Sequence, residues 1–135
     1  MDSTQITKTA VVTGASRGIG LAISKALAAA GFHVVAGARH NTDELRALEA
    51  AGSATFVEAD VSVPEGPQAL IGAAAHRGSI DILVNNAGSA NPRFEGILSV
   101  NDEQWAESIA LNFLSAVRTT LAALPHMLQR GARSS

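Results

Sequence analysis

Short apolar runs alternate along the chain with longer segments whose apolar residues recur every three to four positions. The order reads strand, helix, strand, helix, and such a chain buries its apolar faces best as a parallel sheet covered by helices on both sides. Lys8 to Thr13, rich in β-branched residues, predicts the first strand. Ile19, Ile23, Ala26, Leu27 and Ala30 fall at helical spacing, and Gly31 is placed to close that helix. His33 to Gly37 predicts a second strand, followed by a helix opened by Asn41 with Glu44 and ended by Gly52. Ala54 to Glu58 predicts a third strand. Ser62 and Glu65 have capping-box spacing, and Pro64 and Pro67 fit only in the first turn of the helix they open. Ile80 to Val84 predicts a fourth strand, and Asn85 to Leu98 a loop. Asn101 with Gln104 opens a long helical stretch to about Gln129, which Pro125 is expected to kink or shorten. The expected architecture is an α/β, doubly wound parallel sheet of about four strands. It forms one incomplete domain over residues 1–135, with a frayed polar tail from Gly131 to Ser135.

Composition narrows the function. Ten Lys and Arg face 12 Asp and Glu, a net charge of -2, with no basic block, which argues against nucleic acid as a partner. The start, Met1 to Gln5, lacks a basic region followed by an apolar run, and no apolar stretch approaches the roughly 20 residues of a membrane span. A cytoplasmic protein is expected. The absence of cysteine excludes disulfides and thiolate metal sites. His33, His40, His76 and His126 stand on separate elements without metal-ligand spacing, so no metal is expected and each is read as surface or satisfied structure. Trp105 reads as a packing residue, and Asp43, Glu44 and Glu49 as a solvated helix face. Asp102 and Glu103 suit the positive end of a helix.

The chemistry-bearing residues cluster at the carboxyl ends of the predicted strands. Thr13-Gly14-Ala15-Ser16-Arg17-Gly18-Ile19-Gly20 joins the first strand to the first helix. Its glycines let the backbone approach a pyrophosphate while the helix N-terminus directs amides at it. The glycine spacing differs from G-x-G-x-x-G, and a tight strand-to-helix connection is the plainer alternative. Asp60-Val61 ends the third strand and Asn85-Asn86-Ala87-Gly88 the fourth, where open sheets bind ligands. Asp60 could instead cap its own backbone, and the Asn-Asn-Ala-Gly run is good turn composition.

These motifs, in this order and together with Asn112 in Ala110-Leu111-Asn112-Phe113, resemble the short-chain dehydrogenase/reductase family over about residues 6 to 130. The resemblance implies a Rossmann-like fold and a nicotinamide dinucleotide across the strand ends. Its pyrophosphate would lie over Gly14, Ser16, Arg17, Gly18, Ile19 and Gly20, its adenine near Asp60 and Val61, and its adenosine ribose beside Asn86, Ala87 and Gly88. It also implies hydride transfer between an alcohol or carbonyl and the cofactor, through an Asn, Ser, Tyr and Lys set. Of that set Asn112 is present. The chain contains no tyrosine, and after Arg39 every basic residue other than histidine is an arginine, so no Tyr-x-x-x-Lys exists. Ser134 and Ser135 do not follow the further strand that precedes the family's catalytic serine.

NAD-using relatives place a carboxylate at the end of the second strand. Here that end reads Ala36-Gly37-Ala38-Arg39, and Arg39 with Arg17 could flank a 2′-phosphate, so NADP(H) is preferred over NAD(H). The alternative for Arg39 is a solvated residue near a helix start. Three readings of function follow. In the first, the chain is the cofactor half of an alcohol or carbonyl oxidoreductase, ending before the catalytic Ser and Tyr-x-x-x-Lys and inactive alone, whose full-length form acts on small molecules as a homo-oligomer. In the second it is a non-catalytic dinucleotide-binding or interaction module that needs a partner chain. In the third it is another Rossmann-type protein such as a methyltransferase, against which Asn85 to Gly88 and the missing acidic residue argue. Ser89 to Leu98 could border the site.

Overall fold

A computed structural model describes residues 7–88 and 96–131. Among the described residues, strands and helices alternate up to β4 and two helices follow: β1 (Thr9–Thr13), α1 (Gly18–Ala29), β2 (His33–Ala38), α2 (Asp43–Ala50), β3 (Ala54–Glu58), α3 (Glu65–Arg77), β4 (Ile82–Val84), α4 (Asp102–Ile109) and α5 (Ser115–Gly131). A short 3-10 turn, Ile97–Ser99, precedes α4, and a π-helical segment, Ala110–Leu114, separates α4 from α5. The strands form one sheet in the order β3-β2-β1-β4, every pair parallel. Parallel neighbours need crossover connections, and the helices supply them.

The period-two alternation of strand side chains divides the core into two layers. Val11 and Val35 point to one face, where they pack with Leu70, Ile71 and Ala74 of α3 and Ala123 of α5. Val12, Val34 and Ala36 point to the other, against Ile23, Leu27 and Ala28 of α1 and Leu45 of α2. β1 and β2 are buried along their whole length, and this is why they read as continuous apolar runs. The sheet is therefore doubly wound and Rossmann-like, as the sequence predicts.

Several boundaries and caps differ from the sequence reading. Residues 80–84 shorten to Ile82–Val84, because Asp81 turns its side chain into the sheet and accepts from Thr9 N at 2.8 Å. The cap of α2 is Thr42, whose Oγ1 accepts from Leu45 N; Asn41 lies one residue outside. Ser62 and Glu65 form no capping box, since Ser62 is held by Asp60 and Pro64 occupies the N-cap of α3. Pro67 does fall in the first turn of α3, as its missing N–H requires. Asn101 and Gln104 form the predicted reciprocal box at α4. The long helical stretch is interrupted at Ala110–Leu114, while α5 runs through Pro125 to Gly131. Trp105, read as a packing residue, is 47% exposed among the described residues. Of the expected frayed tail, residues 132–135, with Ser134 and Ser135, lie outside the described residues, as do Met1 to Gln5 and residues 89–95 of the Ser89 to Leu98 stretch.

His33 opens β2, at the end of the sheet away from the glycine turn. It is buried, and its Nε2 pairs with Thr55 Oγ1 at 2.8 Å. Burial, and secondarily the charge of Arg77, hold its pKa below the usual 6.5. Below that pH the unfolded chain takes up a proton that the folded chain refuses, so stability falls as pH drops from 6.5 toward the lowered value and is fully present above 6.5. Thermal melting between about pH 5 and 8 is expected to show this acid slope, and His33→Gln to flatten it. An identical slope in the variant would assign it to other groups.

Candidate functional site

The carboxyl ends of all four strands lie along one edge, and their following residues form the site. β1 and β4 are neighbours whose chains leave toward opposite sides of the sheet, the position at which open α/β sheets bind ligands. Thr13, the last residue of β1, is buried, and its Oγ1 accepts from both Asn86 N and Ala87 N at 2.9 Å. Asn86 Nδ2 donates to Gly14 O at 3.1 Å. The turn after β1 and the turn after β4 are thus one hydrogen-bonded unit.

Glycine is required at two points of this unit. Gly14 has φ 62°, in the left-handed region that side chains rarely adopt. Gly20 lies in the first turn of α1, where a Cβ would overlap Gly14 O and come within 2.5 Å of Asn86 Nδ2. α1 consequently starts hard against the turn. Its N-cap, Arg17, supplies no capping side chain, and its first turn holds no acidic residue. By contrast, Thr42 caps α2 and Asn101 caps α4, each followed by two acidic residues, and α3 begins with Glu65. A helix start with no capping side chain and no acidic residue, and with the positive end of the helix dipole behind it, suits an anionic group.

The remaining predicted residues flank this cradle. Ser16 O accepts from Thr42 Oγ1 at 2.8 Å. Arg17, Gly18 and Ile19 are exposed, Ile19 by 73% although it is apolar. Arg39 is exposed just past β2, and its charge reaches Asp60. Asp60 Oδ1 accepts from Ser62 Oγ at 2.6 Å and from Ser62 N at 3.0 Å, so Asp60 does cap its own turn. The Ser62 hydroxyl, and in smaller measure the Ser62 amide and Arg39, hold the Asp60 carboxyl below its ordinary range against the opposing effect of burial. Val61 turns its side chain into the core with Leu70 and Ile71. Gly88 ends beside Asn112, whose Oδ1 would be 2.8 Å from a Cβ there. Asn112 sits in the π-helical segment, and its Nδ2 donates to Ser108 O at 3.0 Å.

Some contributors were not legible in the sequence. Arg118 of α5 donates from Nη1 to Ser62 O at 3.3 Å, and Thr120 Oγ1 accepts from Asn85 Nδ2 at 3.0 Å, so α5 holds the turns after β3 and β4. Glu49 belongs to no free solvated face: Oε1 accepts from Asn41 Nδ2 at 3.0 Å and Oε2 from Phe56 N at 2.9 Å. Asp43 and Glu44 do lie on the exposed face, paired with Arg46 and Lys25. Among the described residues no group of His, Cys, Asp or Glu is placed to hold a metal ion, and no helix is long and apolar enough to cross a membrane.

The family model of the short chain dehydrogenases matches residues 8–134. D-beta-hydroxybutyrate dehydrogenase of Rhizobium meliloti is 41% identical over 133 residues, which cover 93% of this chain and 51% of the relative. The crystal structure of L-sorbose reductase from Gluconobacter frateurii, in complex with NADPH and L-sorbose, superposes with a TM-score of 0.82 at 38% identity, covering 93% of this chain and 49% of that one. The F189W actinorhodin polyketide ketoreductase with NADPH superposes with a TM-score of 0.80 at 35% identity, over 93% and 50%. The chain spans about half the length of the relatives it matches. With the doubly wound sheet, the glycine turn and a model match along almost its whole length, the chain belongs to the short-chain dehydrogenase family.

Proposed function

We propose that these residues form the NADP(H)-binding part of a short-chain dehydrogenase/reductase whose full-length form interconverts an alcohol and a carbonyl. The observation that carries this reading is the uncapped, acid-free start of α1, set against Gly14 so closely that only glycine fits at position 20. That cradle suits a diphosphate in shape and in charge. Gly14, Ser16, Gly18, Ile19 and Gly20 would receive it, with Arg17 and Arg39 beside the 2′-phosphate. Asp60, kept ionised, would accept from the adenine side. Val61 would take part through its backbone, its side chain being committed to the core. Asn86, Ala87 and Gly88 would flank the ribose. Bound NADP(H) would supply hydride exchange with the substrate carbon. Asn112 would orient the proton path beside Gly88, the Ser, Tyr and Lys of the family set being absent from these residues.

NADPH-bound neighbours support the cofactor assignment, as does the absence of a carboxylate after β2. We assign the protein to the cytoplasm and the described elements to one partial Rossmann domain. Calorimetric titration of the 135-residue chain is expected to show NADPH binding more tightly than NADH, with no carbonyl reduction by the chain alone. Equal affinities would overturn the cofactor assignment, and turnover would overturn the predicted inactivity.

A second reading, a binding module that needs a partner chain, is favoured by one feature. Trp105, Ile109, Phe113, Val117, Leu121, Leu124 and Leu128 are exposed apolar residues at helical spacing along α4, the π-helical segment and α5. Such stripes mark surfaces of association. The same stripe supports homo-oligomer formation in the first reading, so activity assays of the full-length protein separate the two.

A further inference from the structure

A chain of hydrogen bonds runs from the glycine turn to the edge of the sheet through residues that no cofactor contact requires. Thr42 Oγ1 donates to Ser16 O at 2.8 Å and accepts from Leu45 N at 3.3 Å. Asn41 Oδ1 accepts from Thr42 N at 2.8 Å, and Asn41 Nδ2 donates to Glu49 Oε1 at 3.0 Å. Glu49 Oε2 accepts from Phe56 N at 2.9 Å, on the outer edge strand β3. Every link uses a side chain, and both ends are main-chain groups.

The relay brackets Arg39. On the strand side, Ala15 N donates to Gly37 O at 3.1 Å; on the helix side, Thr42 holds Ser16 O. Arg17 follows Ser16 directly and Arg39 lies two residues after Gly37, so the bonds at Ser16 O and Gly37 O fix the backbones that carry the two arginines. α2 has eight residues, short enough to depend on tertiary contacts, and Leu45 is its buried residue. Helix capping alone needs only an acceptor for Leu45 N; the donation to Ser16 O needs a hydroxyl.

We propose that Thr42 is a positioning residue for cofactor discrimination. With Asn41 and Glu49 it locks the glycine turn to α2 and holds Arg17 and Arg39 at the spacing that grips a 2′-phosphate. This rests on the NADP(H) reading above. The test titrates the full native protein with 2′,5′-ADP and with 5′-AMP, which differ by the phosphate in question, for wild type, Thr42→Val, Thr42→Ser and Glu49→Gln. Thr42→Val is expected to reduce the preference for 2′,5′-ADP by about three- to tenfold, the value of one hydrogen bond between neutral groups. Thr42→Ser should restore it, and Glu49→Gln, which leaves one acceptor where two are needed, should lower it less. No wild-type preference would remove the NADP(H) reading and this proposal together. A wild-type preference that Thr42→Val leaves unchanged, with both ligands weakened alike, would overturn the positioning role alone. Should Thr42→Val fail to fold, an unchanged preference in Glu49→Gln would overturn it.

Discussion

Replacing Gly20 with alanine is expected to weaken dinucleotide binding by about 100-fold and to lower the melting temperature of the chain. The new methyl would overlap Gly14 O and approach Asn86 Nδ2 within 2.5 Å, closer than side-chain carbons come to such atoms. Neither neighbour can give way cheaply. Gly14 is fixed in a left-handed turn at φ 62°, and Asn86 Nδ2 is committed to Gly14 O. α1 would have to withdraw, taking its first-turn amides away from the place a diphosphate would occupy. Overpacking against soft side chains costs about 1–3 kcal/mol, and backbone contact belongs at the upper end. Passed on to binding, about 3 kcal/mol weakens affinity by about 100-fold. Gly18→Ala is the internal comparison: its Cβ meets nothing within 4 Å, so only the left-handed backbone at φ 59° is penalised, by about 1–2 kcal/mol. Melting curves and NADPH calorimetry on both variants check the ranking. Wild-type affinity in Gly20→Ala would show that α1 does not seat the cofactor.

Arg39→Asp is expected to invert the cofactor preference, by about 100-fold in the ratio of NADPH to NADH affinity. A guanidinium bonded to phosphate contributes about 1.5–3 kcal/mol, and a carboxylate in its place repels the phosphate while accepting from ribose hydroxyls. The substitution also sets a second carboxylate near Asp60. Arg39 is the smallest of the influences lowering the Asp60 pKa and the Ser62 hydroxyl the largest, so Asp60 stays ionised at neutral pH. Arg39→Ala separates the two effects, since it loses the phosphate contact without adding repulsion. A ratio unchanged in Arg39→Asp would make Arg39 a solvated residue at the start of α2.

The predicted strands and helices were legible because burial and periodicity are local properties. β3 matches its predicted range of Ala54–Glu58, and the capping box of α4 formed as its residue spacing required. Where the reading erred, a partner from elsewhere intervened. Thr42 displaced Asn41 as the cap of α2 because Ser16 O stood within reach of its hydroxyl. Trp105 and the apolar residues that follow it on α4 and α5 have the amphipathic pattern of packed helices, yet the described residues leave that stripe exposed. The pattern reports that a helix face is apolar; it does not report what covers it.

The sequence by itself determined the fold class, the order of the elements and the edge on which the glycine turn, Asp60 and Asn85 to Gly88 would meet. Short apolar runs alternating with segments of period near 3.6 admit one efficient burial, and a parallel sheet puts every strand's carboxyl end on the same side. The tertiary structure decided how that edge is held. Thr42 meets Ser16 across 26 residues, Arg118 meets Ser62 across 56, and Thr13 meets Asn86 across 73. Hydrogen bonds act over about 3 Å whatever the distance along the chain, so such pairs leave no trace in local sequence and exist only once hydrophobic burial has brought their elements together.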